Sequence, residues 1–137
     1  MNTYNFDDPI FRESQLYQNF IDENPSNGYL RIRAYAASQA IPISGLRIIV
    51  SKTVDDNKII FFNGVTNNSG VIERITLPTP RIGDDNQMIP KNITYDIEAI
   101  YEPDNIQRVY YVNMYENVYA VQNINVVPSI NNGVGGF

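Results

Sequence analysis

The chain has 137 residues, 43% of them hydrophobic and 18% charged, a balance that fits one folded domain with its own core and excludes a disordered segment. A net charge of −5 leaves no basic stripe to neutralise phosphates, so nucleic acid is not an expected partner, and an anionic membrane surface would repel the chain. With no cysteine and no histidine, thiol chemistry, thiolate metal sites, the usual general base and the commonest transition-metal ligand are all missing.

Ile, Val, Tyr and Thr suit a pleated, half-buried surface and the many Asn suit turns, so the composition reads as all-β with some helix. The opening run, Met1-Asn2-Thr3-Tyr4-Asn5-Phe6-Asp7-Asp8-Pro9, has neither the basic start nor the apolar stretch of a signal peptide. No apolar run approaches the length of a membrane span. The expectation is synthesis in the cytoplasm without a leader, with release by lysis or another route. Asp8-Pro9 resembles an N-cap followed by proline at the first helical position. Ile10, Leu16, Tyr17, Phe20 and Ile21 then share one side of a helix, which predicts an amphipathic helix over 9–22, ended by Asn24-Pro25-Ser26-Asn27-Gly28. This helix, with the arm carrying Tyr4 and Phe6, either covers the open side of its own sandwich or docks on a neighbouring subunit.

From Gly28 the pattern is punctuated strand. Leu30, Ile32, Ala34 and Ala36 alternate with Tyr29, Arg31, Arg33 and Tyr35, giving one apolar face. Further strands are predicted at 46–54, 58–66, 71–77, 93–101, 106–115 and 118–127. The turns between them carry Asp55-Asp56-Asn57, Asn67-Asn68-Ser69-Gly70, Glu102-Pro103-Asp104-Asn105 and Glu116-Asn117, with a long polar loop at 81–91. Seven strands at this spacing, with no βαβ rhythm, predict a seven-stranded two-sheet Greek-key sandwich. The expected division is an arm and helix at 1–27, a sandwich at 28–128 and a flexible tail at 129–137 that closes on Phe137.

The stretch from Leu30 to Pro128 carries a set of short motifs. They are Leu30-Arg31-Ile32-Arg33-Ala34-Tyr35, then Ile41-Pro42-Ile43-Ser44-Gly45-Leu46, Gly64-Val65-Thr66-Asn67-Asn68-Ser69-Gly70-Val71, Leu77-Pro78-Thr79-Pro80, Tyr95-Asp96-Ile97-Glu98-Ala99 and Gln122-Asn123-Ile124-Asn125-Val126-Val127-Pro128. On these the chain resembles the carboxypeptidase-regulatory-like, or prealbumin-like (transthyretin-like), β-sandwich family. Within it, the wording is most similar to domains of spore-forming Firmicutes, found in spore cortex-lytic proteins and small spore-associated proteins. The resemblance implies a sandwich of the transthyretin or immunoglobulin type and a place on the spore surface or outside the cell. Hydrolases of this fold rely on histidines that this chain lacks. A Lys–Asn crosslink of the kind seen in related surface domains would need a lysine on the first strand. That strand offers only Arg31 and Arg33, although Asn123 and Asn125 stand on the last.

Neither Asp55-Asp56-Asn57 nor Asp84-Asp85-Asn86 has the spaced ligand pattern of a calcium loop, and both read as solvated turns. Glu73, Asp96, Glu98 and Glu102 form no recognisable acid–base pair. No catalytic, cofactor-binding or metal-binding residue is predicted. Aromatic residues are the richer signal. Tyr110 and Tyr111 are adjacent on one strand, so they face opposite ways and one must be exposed. The subunit-interface candidates are therefore Tyr4, Phe6, Ile10, Phe11, Tyr17, Phe20, Tyr110, Tyr111 and Phe137. The leading expectation is a non-enzymatic structural subunit that assembles with itself into a filament or layer through its N-terminal arm and C-terminal tail, and that also meets other spore-surface proteins. The alternative is a monomeric docking module for a peptidoglycan-processing enzyme or coat protein. A carbohydrate-binding sandwich using exposed tyrosines is the third.

Overall fold

The computed structural model describes residues 2–37, 40–83 and 90–126. The predicted tail with Phe137 and the acidic turn Asp84-Asp85-Asn86 lie outside them. The chain runs β1 (Thr3–Asn5), α1 (Gln15–Glu23), β2 (Ser26–Ala36), β3 (Ile41–Pro42), β4 (Arg47–Val54), β5 (Asn57–Val65), β6 (Val71–Thr79), β7 (Ile93–Tyr101), β8 (Ile106–Met114) and β9 (Tyr119–Asn125). Two mixed sheets form. Sheet A has the order β1-β5-β4-β7-β8; in sheet B, β2 pairs with β3, β6 and β9. The described residues thus hold nine strands where periodicity predicts seven. The two additions, β1 and β3, have three and two residues, too few to show a period. Each owes its conformation to pairing with the rim of a longer strand rather than to a pattern of its own.

The alternation of the first long strand sets the interior. Leu30, Ile32, Ala34 and Ala36 are buried, and Tyr29, Arg31, Arg33 and Tyr35 point away. Sheet A contributes Ile48, Val50, Ile97 and Ala99 to the same core, so the two sheets and Phe20 of α1 share one apolar cluster, as in a β-sandwich. Tyr95 lies at its centre, and its hydroxyl donates to the Pro78 carbonyl across the sheets. Burial alone pushes that phenol far above its usual range.

Most turns follow side-chain chemistry. Asp55 and Asp56 both adopt positive φ, which the tightest hairpins require, and Asn105 and Asn117 do the same at their corners. The Asn67 carboxamide oxygen accepts from the backbone N–H groups of Ser69 and Val71 at 2.9 and 3.0 Å. Gly70 then has φ +75°, and a Cβ there would stand 2.4 Å from the Ala34 carbonyl, so no other residue fits. At the far end of β2, a Cβ on Gly28 would meet the Tyr115 carbonyl at 2.5 Å, which lets the β8–β9 corner press directly on β2.

The predicted helix is shorter and starts later than expected. Asp8 does cap, but only a turn: its carboxylate accepts from Ile10 N–H at 2.9 Å. A single 3-10 turn follows at Phe11–Glu13, the backbone becomes extended at Ser14, and α1 begins at Gln15. Ser14 is the true N-cap, its hydroxyl accepting from Tyr17 N–H at 3.1 Å. The break rotates the apolar face, so Ile10 is 78% exposed and Phe11 only 3%. Phe20→Ala should therefore destabilise the fold by about 3–5 kcal/mol, the usual loss for a buried phenylalanine. Ile10→Ala should stay within about 0.5 kcal/mol of wild type. Urea unfolding followed by fluorescence or circular dichroism checks both.

Candidate functional site

The structure brings most of the predicted aromatic candidates together on the molecule's own surface. Asn2 to Phe6 pair in parallel with β5, with Lys58 N–H donating to the Asn2 carbonyl at 2.9 Å and Phe6 N–H to the Ile60 carbonyl at 2.8 Å. This pairing aims Phe6 at Phe61, whose ring centroid is 4.7 Å away. Tyr17 and Phe20 on α1 close on Phe6 at 5.6 and 6.3 Å, and Tyr4 stacks on Phe11 at 5.2 Å. Phe61 continues the chain of rings into the core through Tyr95 at 5.0 Å. Arg12 seals the cluster: its guanidinium lies 5.0 Å over Phe6, donates to the Phe6 carbonyl at 3.0 Å and pairs with Asp7 at 3.0 Å. Tyr4, Phe6, Phe11, Tyr17 and Phe20 are thus engaged within the chain, and Ile10 alone of the N-terminal candidates stands clear.

Tyr110 and Tyr111 lie on the opposite rim of sheet A. Tyr110 faces inward and packs on the core, where burial raises its phenol above the usual range, while Tyr111 is 70% exposed. Val109, two residues earlier, shares the outer face with Tyr111. Among the described residues β8 ends the sheet, so one side of its backbone has no partner strand. It pairs with β7 over nine residues without a bulge, from Ile93↔Met114 to Tyr101↔Ile106, and carries a single charged residue, Arg108. A long, regular edge with so little charge is the kind that recruits another strand. The end of sheet B beyond β9 is likewise open among the described residues, with Val118, Tyr119 and Val121 exposed.

Sequence reasoning missed the β9 residues. The signal was present in the alternation of Tyr119, Val121, Asn123 and Asn125, but neither a buried nor an exposed face could be assigned to it without knowing what β9 pairs with. β9 runs parallel to β2 in the register Tyr29↔Tyr119 to Tyr35↔Asn125. That register puts Tyr119 and Tyr29 in a stack, with centroids 4.7 Å apart and planes 23° apart.

The corner joining β8 to β9 is tied down by Glu116. One carboxylate oxygen accepts from Ile82 N–H and the other from the Ser26 hydroxyl, both at 2.8 Å. These two bonds, the backbone one first, hold the carboxyl below its usual range. A cavity of about 520 Å3 lies beside α1 and is lined by Phe20, Asn24, Lys52, Ile93 and Thr94 among others. Two of its polar groups are engaged within the chain: the Lys52 ammonium donates to the Thr94 carbonyl at 2.9 Å and the Asn24 amide to the Phe20 carbonyl at 3.0 Å. Among the described residues no three carboxylates gather where a metal ion would need them, and no helix is long and apolar enough to cross a membrane. No protein-family model matches the chain, and no curated protein matches it in sequence.

A depressed carboxyl pKa stabilises the fold above the ordinary carboxylate range, and that contribution is lost as pH falls through the folded-state value. Carboxyl NMR titration should accordingly find Glu116 titrating below the ordinary glutamate range. In Glu116→Gln, the loss of stability on acidification should be smaller than in wild type.

Proposed function

We propose that the chain is a non-enzymatic structural protein, a prealbumin-like Greek-key sandwich that assembles with copies of itself through its open sheet edges. The observation that carries this is β8: nine residues, unbulged, with Val109 and Tyr111 exposed and no covering element among the described residues. Two β8 strands placed antiparallel about Tyr110 set Val109 of one copy beside Tyr111 of the other. Apolar cross-strand pairs of this kind add to the backbone bonds that extend the sheet. Such a contact is self-complementary and closes at a dimer. The β9 edge supplies the second contact that a filament or layer needs, at a spore surface or outside the cell. This assigns the subunit contacts to the open edges rather than to the N-terminal arm, whose rings are occupied in place.

The second reading is a monomeric docking module for a spore peptidoglycan-processing enzyme or a coat protein. The same sealed arm favours it, because a chain that satisfies its own aromatic residues needs no second copy to fold. Light scattering behind gel filtration, with negative-stain electron microscopy across a range of concentrations, separates the two. Ordered fibres or sheets, or mass rising with concentration, support self-assembly. The double variant Val109→Lys/Tyr111→Lys should abolish the β8 contact with an unchanged melting temperature, since both side chains are exposed. A wild-type protein that stays monomeric throughout overturns self-assembly in favour of docking.

A further inference from the structure

Sheet B presents a second surface that self-assembly through β8 does not use. Its three long strands carry three arginines, Arg31, Arg33 and Arg74, against one acid, Glu73, in a chain whose net charge is −5. All four charges stand on the solvent side. Arg31 and Arg33 alternate with the buried Leu30, Ile32 and Ala34. On β6, the register shifts opposite Leu30/Ile32, so Glu73 and Arg74 both emerge between the buried Ile72 and Ile75. Cross-strand register then builds rows: Tyr29 beside Tyr119, Arg31 beside Val121, Arg33 beside Asn123, Tyr35 beside Asn125.

One end of this face is aromatic. Tyr29 and Tyr119 stack, Arg74 holds its guanidinium 4.3 Å from the Tyr29 ring centroid, and Tyr119 remains 69% exposed. The other end is cationic and amide-bearing. Arg31 is only loosely paired with Glu73 at 3.7 Å, both side chains being largely in solvent, a pairing too weak to hold the guanidinium from another carboxylate.

We propose that the outer face of the β9–β2–β6 sheet binds a polysaccharide bearing carboxylates, whose sugar ring lies on Tyr119 while its acid groups meet Arg31 and Arg33. The C–H face of a pyranose is apolar and packs on a tyrosine ring, which keeps its hydroxyl at the wet edge. A guanidinium matches a carboxylate in a planar, two-bond fork that lysine cannot offer. The carboxamides of Asn123 and Asn125 supply donors and acceptors for hydroxyls. Because the sheet fixes these rows and Arg74 already rests on Tyr29, binding requires little further ordering. An acidic polypeptide would satisfy the arginines but brings no ring for Tyr119. A nucleic acid would require many more phosphate contacts than three arginines provide.

Isothermal titration of the full chain with oligogalacturonate tests this, using two controls. The fully methyl-esterified oligomer keeps the rings and loses the charges; polyglutamate keeps the charges and loses the rings. The acid oligomer should bind, with affinity falling as salt rises, and both controls should bind at least about tenfold more weakly, the size of one or two lost charge-assisted bonds. Arg31→Gln/Arg33→Gln and Tyr119→Ala should each lose about tenfold or more while melting as wild type does. The β8 variant Val109→Lys/Tyr111→Lys should bind undiminished, so failure of self-assembly and failure of this site read out separately. No binding of the acid oligomer, equal binding of polyglutamate, or arginine and tyrosine variants that bind as wild type would each overturn the proposal.

Discussion

A two-sheet fold has edges, and every unpaired edge must be covered, blunted or used. This chain covers one with its own first residues. Asn2 to Phe6 lie along β5, and the gain is larger than the few backbone bonds, because the pairing register decides where Phe6 lands. Phe6 on Phe61, Phe61 on Tyr95, and Tyr95 on the Pro78 carbonyl form one line of contact from the solvent rim to the opposite sheet. Shifting the arm by one residue would turn Phe6 outward and Tyr4 off Phe11. The helix depends on the same pairing, since Tyr17 and Phe20 have Phe6 as their shared neighbour. With the β5 edge closed in this way, the asymmetry among the described residues between a sealed rim and the open β8 rim follows directly.

How far the sequence reveals this depends on the range of each interaction. Every strand longer than three residues is legible from alternation or from an apolar run between turns, and Ile93–Tyr101 is recovered to the residue because polar turns flank it and each odd position is apolar. The turns are legible too, since Asp55, Asp56, Asn105 and Asn117 are residue types that tolerate positive φ. The helix start is not. Asp8-Pro9 is the stronger local signal, yet Ser14 wins, because the break between Glu13 and Gln15 lets both Phe11 and Phe20 reach apolar surroundings. That is a tertiary preference over a local one. β1 and β3 are invisible for the same reason: their conformation is imposed by the strand beside them.

The surfaces were partly legible. Adjacent Tyr110 and Tyr111 had to face opposite ways, and the structure puts Tyr110 against the core and Tyr111 in solvent. What no local pattern reveals is that the chain's first long strand and its last lie side by side in parallel. Tyr29 and Tyr119 are ninety positions apart, and Arg74 reaches them only because of a bulge on a third strand. A platform built from three strands distant in sequence is a property of the register, so composition could suggest exposed tyrosines without indicating which of them would meet.

The distribution of charge over the two sheets gives this geometry a consequence. On sheet A, the outer face next to the β8 rim carries Asp96 and Glu98, which stand opposite Tyr111 and Val109, and Glu98 is held by Lys58 at 2.7 Å. Sheet A also carries Arg47, Lys52 and Arg108, whereas Arg31, Arg33 and Arg74 stand on sheet B. A second copy approaching β8 would therefore meet the exposed Val109 and Tyr111 rather than the rows of Arg31, Arg33 and Arg74. The two surfaces do not compete. Pairing through β8 would leave both arginine faces free, and two copies held together present two such faces to one long chain. A weak contact of a few charge-assisted bonds per copy becomes firm attachment when repeated, because each later contact forms at a high effective concentration. On the proposed reading, assembly and binding would then reinforce each other without any change in the fold of a single copy.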